Sequence, residues 1–252
     1  EMKVLLIVPT YGRIPFLNRT LASFMSQDYD DKEMVIINDD KNVEICCEQK
    51  GVTCINLSRK ILVGNKRNLA VTMGNYELYM PHDDDDLFLP SRISTHVKIH
   101  AENPDIHLYH SLTCYLIYGS MFKPSGSGPS CISFTKKGWF DVGGYNHSKN
   151  AGEDQEFIGK FRSNVRMASS DSVDYVYNFG GLNYHLSGTS DTEIEKIAHK
   201  QLVDLNLLGK KYYMEPDFDE YNKFLELERM YKEKQEPINV RHISMGKIEI
   251  VR

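Results

Sequence analysis

Four consecutive aspartates, Asp83 to Asp86, stand between apolar segments, Tyr76-Glu77-Leu78-Tyr79-Met80-Pro81 before them and Leu87-Phe88-Leu89-Pro90 after. Like charges about 4 Å apart repel by roughly 1 kcal/mol per pair in bulk water and about 4 kcal/mol near a protein surface. A chain that folds around such a run must supply a cation or hydrogen-bond donors to it. Oxygen-only ligands of this kind suit a hard divalent ion, Mg2+ or Mn2+. Residues Tyr76 to Met80 read as a short strand, and Pro90 with Ser91 opens a helical pattern carried by Ile93, Val97 and His100. The acids then sit at a strand's C-terminal end, the edge of an open α/β sheet where ligands collect. The plainer alternative, a solvated acidic turn, accounts less well for apolar residues on both sides.

The rest of the chain supports that sheet. Val4-Leu5-Leu6-Ile7-Val8 is an apolar run closed by Pro9-Thr10-Tyr11-Gly12, the pattern of a strand buried on both faces. Leu17, Leu21, Phe24 and Met25 follow a helical period, and Met34-Val35-Ile36-Ile37 predicts a second buried strand ending in Asn38-Asp39-Asp40. A short helix over Val43 to Gln49, a third strand over Val52 to Leu57 and a helix over Asn65 to Met73 continue the alternation. This order predicts a mostly parallel sheet flanked by helices. Three polar clusters, Thr10-Tyr11, Asp39-Asp40 and the aspartate run, then emerge on one sheet edge.

After the helix that ends near Glu102 the pattern changes. Ile106 to Tyr118 and Cys131 to Phe134, separated by a Ser/Gly/Pro-rich turn, predict a small antiparallel extension. Glu153-Asp154 opens a helix whose dipole its acids suit, so helix stabilisation is the plainer account of both. Short strands are expected over Val173 to Tyr177 and Leu182 to His185, then helices over Glu193 to Leu208 and Phe218 to Glu233, with a final strand or tail from Val240.

With 252 residues, 41% hydrophobic and 26% charged, the composition is that of a globular protein. A net charge of -5 excludes a global basic field for nucleic acid. No apolar run reaches the roughly 20 residues of a membrane span and no signal peptide is evident, so a cytoplasmic location is expected. The five cysteines lack C-x-x-C spacing and predict reduced thiols. Lys196, Lys200, Lys210, Lys211, Tyr212 and Tyr213 form a modest basic and aromatic cluster, read most simply as a solvated face.

Taken in order, Val8-Pro9-Thr10-Tyr11-Gly12-Arg13, Asp39-Asp40, Gly64-Asn65-Lys66-Arg67-Asn68, Asp83-Asp84-Asp85, Gly143-Gly144-Tyr145 and Glu153-Asp154 resemble a family 2 glycosyltransferase of the GT-A fold. The likeness covers roughly residues 3 to 160, and its specificity lies in the co-occurrence of these pieces. It implies a Rossmann-like nucleotide-binding α/β domain over residues 1–190, with residues 191–252 a C-terminal helical extension packed on it. It also implies metal-dependent, inverting transfer of a hexose or pentose from a nucleoside diphosphate sugar to an acceptor hydroxyl.

By the same resemblance, Pro9, Thr10, Tyr11, Arg13, Asp39, Arg67, Asp83 and Asp84 would bind the donor, with the Tyr11 ring packed on the base. A carboxylate at Asp39 suits the N3 proton of uracil, which favours a UDP-sugar. Lys41-Asn42 replaces the small residues usual after the second-strand acids and weakens that assignment. Asp85 and Asp83, with His185, would hold Mn2+ or Mg2+, although Asp86 leaves the register open by one residue. Asp154, paired with Glu153, matches the general base. A non-catalytic nucleotide- or saccharide-binding domain is the alternative. A calcium loop lacks its alternating ligands here, and a nucleotidyltransferase would need a glycine-rich loop where only Gly12 stands. The acceptor (glycan, glycolipid, protein or a modified base in DNA) and the oligomeric state stay open.

Overall fold

The computed structural model describes residues 2–126, 128, 130–149, 151–164, 167–179, 191–244 and 247–251. Strand β1 (Val4–Thr10) is buried along its whole length. Helix α1 (Ile14–Met25) leads into β2 (Lys32–Asn38), then β3 (Val43–Cys46), β4 (Val52–Asn56), α2 (Val63–Thr72), β5 (Leu78–Pro81), the two-residue β6 (Leu87–Phe88) and α3 (Arg92–Glu102). Next come β7 (Leu108–Ser111), β8 (Thr113–Tyr118), β9 (Met121–Gly126), β10 (Ile132–Phe134), α4 (Lys136–Asp141), α5 (Glu153–Asn164), β11 (Met167–Ser170) and β12 (Tyr175–Phe179). The C-terminal part contributes α6 (Asp191–Asp204), β13 (Lys210–Tyr213), α7 (Phe218–Lys234) and the hairpin β14 (Ile238–Ser244) with β15 (Lys247–Ile250).

The central sheet has the order β11-β7-β10-β5-β1-β2-β4. Strand β1 runs parallel to β2 and β5, β2 parallel to β4, and β10 antiparallel to β5 and β7. Thr10 is in register with Asn38, and Asn38 with Asn56, so these strands end together. Pro9 and Pro81 lie in these last residues, where a missing N–H costs the ladder least. Side chains of β1 alternate between two cores. Val4, Leu6 and Val8 meet Leu17, Leu21 and Phe24 of α1 and Ile93 of α3. Leu5 and Ile7 meet Ala70 and Val71 of α2 and Phe157, Ile158 and Phe161 of α5.

A second sheet, β15-β14-β9-β8-β12-β6, packs on α7 through Tyr221, Phe224 and Leu227. Residues 106–118, read as one strand region, split at Leu112. Strand β7 joins the central sheet and β8 the second one.

The helix expected over Val43 to Gln49 is instead strand β3. Val43 and Ile45 are buried while Glu44 is exposed, a period of two that the short apolar run hides. Its partner is the parallel strand β13, more than 160 residues away in sequence. The lysines and tyrosines of the basic cluster are thereby dispersed: Lys211 pairs with Glu44, Lys200 with Asp204, and the Tyr212 hydroxyl accepts from Asn18 Nδ2 at 2.7 Å. The strand expected over Leu182 to His185 lies outside the described residues. Among the described residues, no helix is long and apolar enough to cross a membrane.

Phe157 anchors α5, the helix that begins with Glu153 and Asp154. Its ring is fully buried, stacks on Tyr145 at 4.0 Å, and meets Phe134 and Phe161 edge-on at 5.1 Å. Phe157→Ala is expected to cost about 3–5 kcal/mol in chemical denaturation. A loss below about 1 kcal/mol would show that other contacts hold the helix in place.

Candidate active site

The C-terminal ends of β1, β2 and β5 place the polar clusters side by side. Asn38 organises this edge: its Oδ1 accepts the Gly12 and Asp40 N–H groups at 3.1 Å, and its Nδ2 donates to Val43 O at 2.9 Å and Asn56 Oδ1 at 3.0 Å. Gly12 has φ +63, and a Cβ there would lie 2.7 Å from Asp40 Oδ2, so the turn requires glycine for both backbone and space.

The aspartate run follows β5 after the buried His82 and is held on every side. Asp84 is fully buried; its Oδ2 accepts from Thr10 Oγ1 at 2.6 Å and Arg13 Nε at 3.0 Å, and a second Arg13 nitrogen meets Oδ1. Asp85 Oδ2 accepts from Arg13 at 3.2 Å. Asp83 accepts from Arg67 and from Ser130 Oγ, both at 2.7 Å. Asp86 accepts the Tyr175 hydroxyl and the Asn178 N–H, the latter at 2.9 Å. Burial, then the charges of Asp85 and Asp83, hold the Asp86 carboxyl well above the usual range. The backbone is clamped from α1, where Thr20 Oγ1 donates to Asp84 O at 3.1 Å and Arg19 to Asp85 O at 2.6 Å.

These partners separate the four acids. Asp86 faces β12 and ties the second sheet to the run, and Asp84 has 0% side-chain exposure under Arg13. Asp85 and Asp83 stay more open, with side-chain exposures of 11% and 20%. Among the described residues no group of three or more His, Cys, Asp and Glu is arranged to hold a metal by itself. His185 lies outside the described residues.

On the β2 side, the Asp39 side chain is fully buried: Lys66 Nζ caps Oδ1 and the Ile61 N–H meets Oδ2 at 2.8 Å. Lys66 also donates to Thr10 O at 2.7 Å. Tyr11 sits above this edge with Lys60 Nζ 5.1 Å from its ring centroid, and burial followed by the Asp40 charge pushes its phenol up to about 12.

Arg67 links the run to α5. One nitrogen meets Asp83 and another meets Glu153 Oε1 at 2.5 Å, and its guanidinium lies 5.3 Å from the Tyr145 ring centroid. Glu153 is buried in this pair, whereas Asp154 is only half-buried and accepts the Gln155 N–H at 2.6 Å. Burial raises both carboxyls above their ordinary values, with Arg67 acting against the rise. A base shifted in that direction is better matched to neutral pH.

The structure thus brings together Pro9, Thr10, Arg13, Asp83, Asp84 and Asp85 around the end of β1. Arg67 joins Glu153 and Asp154 to them, while Asp39 stands at the same edge behind Lys66. Sequence reasoning missed Asn38, Lys66, Ser130, Tyr175 and Asn178. Lys66 had a signal, since it adjoins Arg67 in a polar turn opening α2; Tyr175 and Asn178 had none, because their partner Asp86 is about 90 residues away in the chain.

Asp86→Ala would leave the Tyr175 hydroxyl and the Asn178 N–H without an acceptor, a loss of about 1–3 kcal/mol for each group. Thermal melts are expected to show a larger fall in Tm for this variant than for Asp85→Ala, whose partner Arg13 keeps its bonds to Asp84. Equal melting of the two would contradict the structural division of the run.

Residues 5–150 match the family described as Glycosyl transferase family 2. Among curated proteins, an uncharacterized glycosyltransferase of Haemophilus influenzae is 27% identical over 118 residues, 44% of this chain and 40% of the relative. A putative colanic acid biosynthesis glycosyl transferase of Escherichia coli is 28% identical over 130 residues, 48% of this chain and 46% of the relative. The chain therefore spans less than half the length of these relatives. Among solved structures, S. aureus TarS residues 1–349 in complex with UDP-GlcNAc superimposes with a TM-score of 0.59 at 16% identity, covering 82% of this chain and 68% of that one. A mannosyltransferase from Pyrobaculum calidifontis in complex with GDP-Man and Mn2+ gives 0.53 at 16% identity, covering 70% and 56%. At these identities the likeness is one of fold, and the fold is GT-A.

Proposed function

The chain belongs to glycosyl transferase family 2, and from that premise we propose that it moves a sugar from a nucleoside diphosphate donor, a UDP-sugar, to an acceptor hydroxyl with inversion at the anomeric carbon. The observation that carries this reading is the Arg67 bridge. It ties an acidic run at one sheet edge to the carboxylate pair on α5, Glu153 buried and Asp154 half-buried.

The donor diphosphate would lie over Asp83 and Asp85, within reach of the guanidinium groups of Arg13 and Arg67, whose planar forks suit phosphate oxygens. Asp83 and Asp85 are hard oxygen donors and the most open of the four, which fits Mg2+ or Mn2+ bound through one or two carboxylates and completed by substrate phosphates. Such an ion, when bound, supplies charge neutralisation to the departing diphosphate.

Tyr11 would face the base. Asp39 would accept the uracil N3 proton once the Lys60-Ile61 segment withdraws, since Ile61 and Lys66 now cover it.

Asp154 takes the proton of the acceptor hydroxyl as that oxygen bonds to the anomeric carbon. The bond from that carbon to the diphosphate oxygen breaks on the opposite face, so a single displacement inverts the centre. Glu153, held by Arg67, fixes the first turn of α5, from which Asp154 would reach the acceptor hydroxyl.

Three measurements test this. UDP should raise Tm clearly with Mn2+ or Mg2+ and only weakly in EDTA, because mass action stabilises the form that binds; equal shifts would remove the metal from the reading. Asp154→Asn should leave the UDP-dependent shift intact while sugar transfer falls by at least about 100-fold. In the parent protein, kcat/KM should be lost as pH falls through a midpoint above the 3.8 of an ordinary aspartate, because burial raises Asp154 and only its ionised form can take a proton. Full transfer by a folded Asp154→Asn protein would overturn the catalytic assignment.

A further inference from the structure

On the far side of α2 from the aspartate run lies a groove of about 510 Å³, within the roughly 300–1,000 Å³ span of small-molecule sites. Its walls are Asn65, Leu69 and Thr72 on one face of α2, and Trp139, Phe140 and His147 opposite. Among the described residues, no Lys, Arg, Asp or Glu lines it. Phe140 is 76% exposed, the most open of the large hydrophobic residues described, although it belongs to a helix whose neighbour Gly138 is buried.

The floor is built by two glycines with positive φ, Gly143 and Gly144. A Cβ on Gly144 would come within 2.8 Å of Trp139 Nε1 and Asn68 Oδ1. Asn68 Oδ1 accepts from Trp139 Nε1 at 2.8 Å and from the Tyr145 N–H at 2.9 Å, which fixes the indole against the helix. Around this aromatic wall the polar groups are the Asn65 amide, the His147 imidazole and the Thr72 hydroxyl. Asn65 Oδ1 meets His147 Nδ1 at 2.8 Å, leaving the Asn65 amide N–H groups as donors. Thr72 Oγ1 donates to Leu69 O at 2.7 Å and keeps lone pairs to accept with.

We propose that this groove binds the neutral saccharide portion of the acceptor, away from its reacting hydroxyl. This rests on the glycosyl-transfer reading above. Hydroxyl groups, each both donor and acceptor, match a wall of mixed donors and acceptors, and the C–H face of a pyranose packs on the electron-rich face of an aromatic ring. The absence of Lys and Arg from the described lining disfavours a phosphate or an acidic peptide. One end of the groove adjoins the close packing of α2 against the segment that precedes α5. Its Asn65–His147 end flanks Gly64, where a Cβ would lie 2.8 Å from Asn146 O and 3.4 Å from Glu153 Cγ, at the start of the helix carrying Asp154.

Trp139 is the single tryptophan, so its emission reports this groove alone. The protein is titrated, without donor, with neutral tetrasaccharides of glucose, galactose, mannose and N-acetylglucosamine. At least one should shift the emission saturably with a midpoint on the order of millimolar, and Phe140→Ala should weaken that midpoint about tenfold. The Phe140→Ala protein should keep its UDP- and Mn2+-dependent thermal shift, since Phe140 is an exposed residue of the groove wall and not one of the residues assigned to the donor edge. Absence of a saturable change with all four sugars, or an unchanged midpoint in Phe140→Ala, overturns the proposal. Sugar binding without any UDP shift would remove the glycosyl-transfer reading and, with it, the acceptor role of the groove. A UDP shift without sugar binding would remove the groove alone.

Discussion

The desolvation of four adjacent carboxylates at the end of β5 is the constraint on which the rest of this structure depends. Taking a charge out of water costs several kcal/mol unless donors and counter-charges answer it, and removing one partner from such a buried pair costs about 3–5 kcal/mol. Four arginines from different parts of the chain meet the cost. Arg13 and Arg67 bond the side chains of Asp83, Asp84 and Asp85, while Arg19 donates to Asp85 O and Arg92 to Pro81 O at 3.1 Å. Arg92 also reaches Ser130 O and Ile132 O, and its guanidinium lies 3.7 Å from the Phe88 ring centroid. The acid run is consequently the point where α1, α2, α3 and the approach to β10 are all fastened together.

That fastening has a functional consequence. Because Arg67 spans Asp83 and Glu153, the electrostatics of the acid run and of the carboxylate pair on α5 are not independent. Neutralising either side changes the other through one guanidinium. On the opposite flank, Asp86 bonds Tyr175 and Asn178 and so hangs the second sheet on the same short segment. One stretch of sequence thus serves as both a candidate site and the joint between two sheets, and its four chemically identical residues divide these duties according to burial.

The periodicity of the chain carried much of the fold. A fully apolar β1, a helix at period 3.6, a second apolar strand and polar residues at each strand end are local features, and local features are what sequence patterns report. β3 escaped because a four-residue strand with one exposed position is too short to distinguish from a helical turn. What stabilises it is β13, whose Lys-Lys-Tyr-Tyr sequence looked like a charged surface rather than a strand. The split at Leu112 escaped for a related reason: both halves are apolar, and only the identity of their neighbours assigns them to different sheets.

The sequence by itself determined that strand ends bearing Thr10, Asp39 and the aspartate run share one edge, because parallel alternation leaves no other arrangement. It also determined that the run needs compensation, since four like charges in apolar surroundings cannot stand alone. Only the tertiary structure decided which carboxylates stay open. Asp84 and Asp86 are closed by Arg13, Thr10, Tyr175 and Asn178, groups brought in from about 70 residues before the run and about 90 after it. A pKa, an exposure and a bonding partner are properties of a place in space, and identical aspartates acquire different ones only when distant segments pack around them.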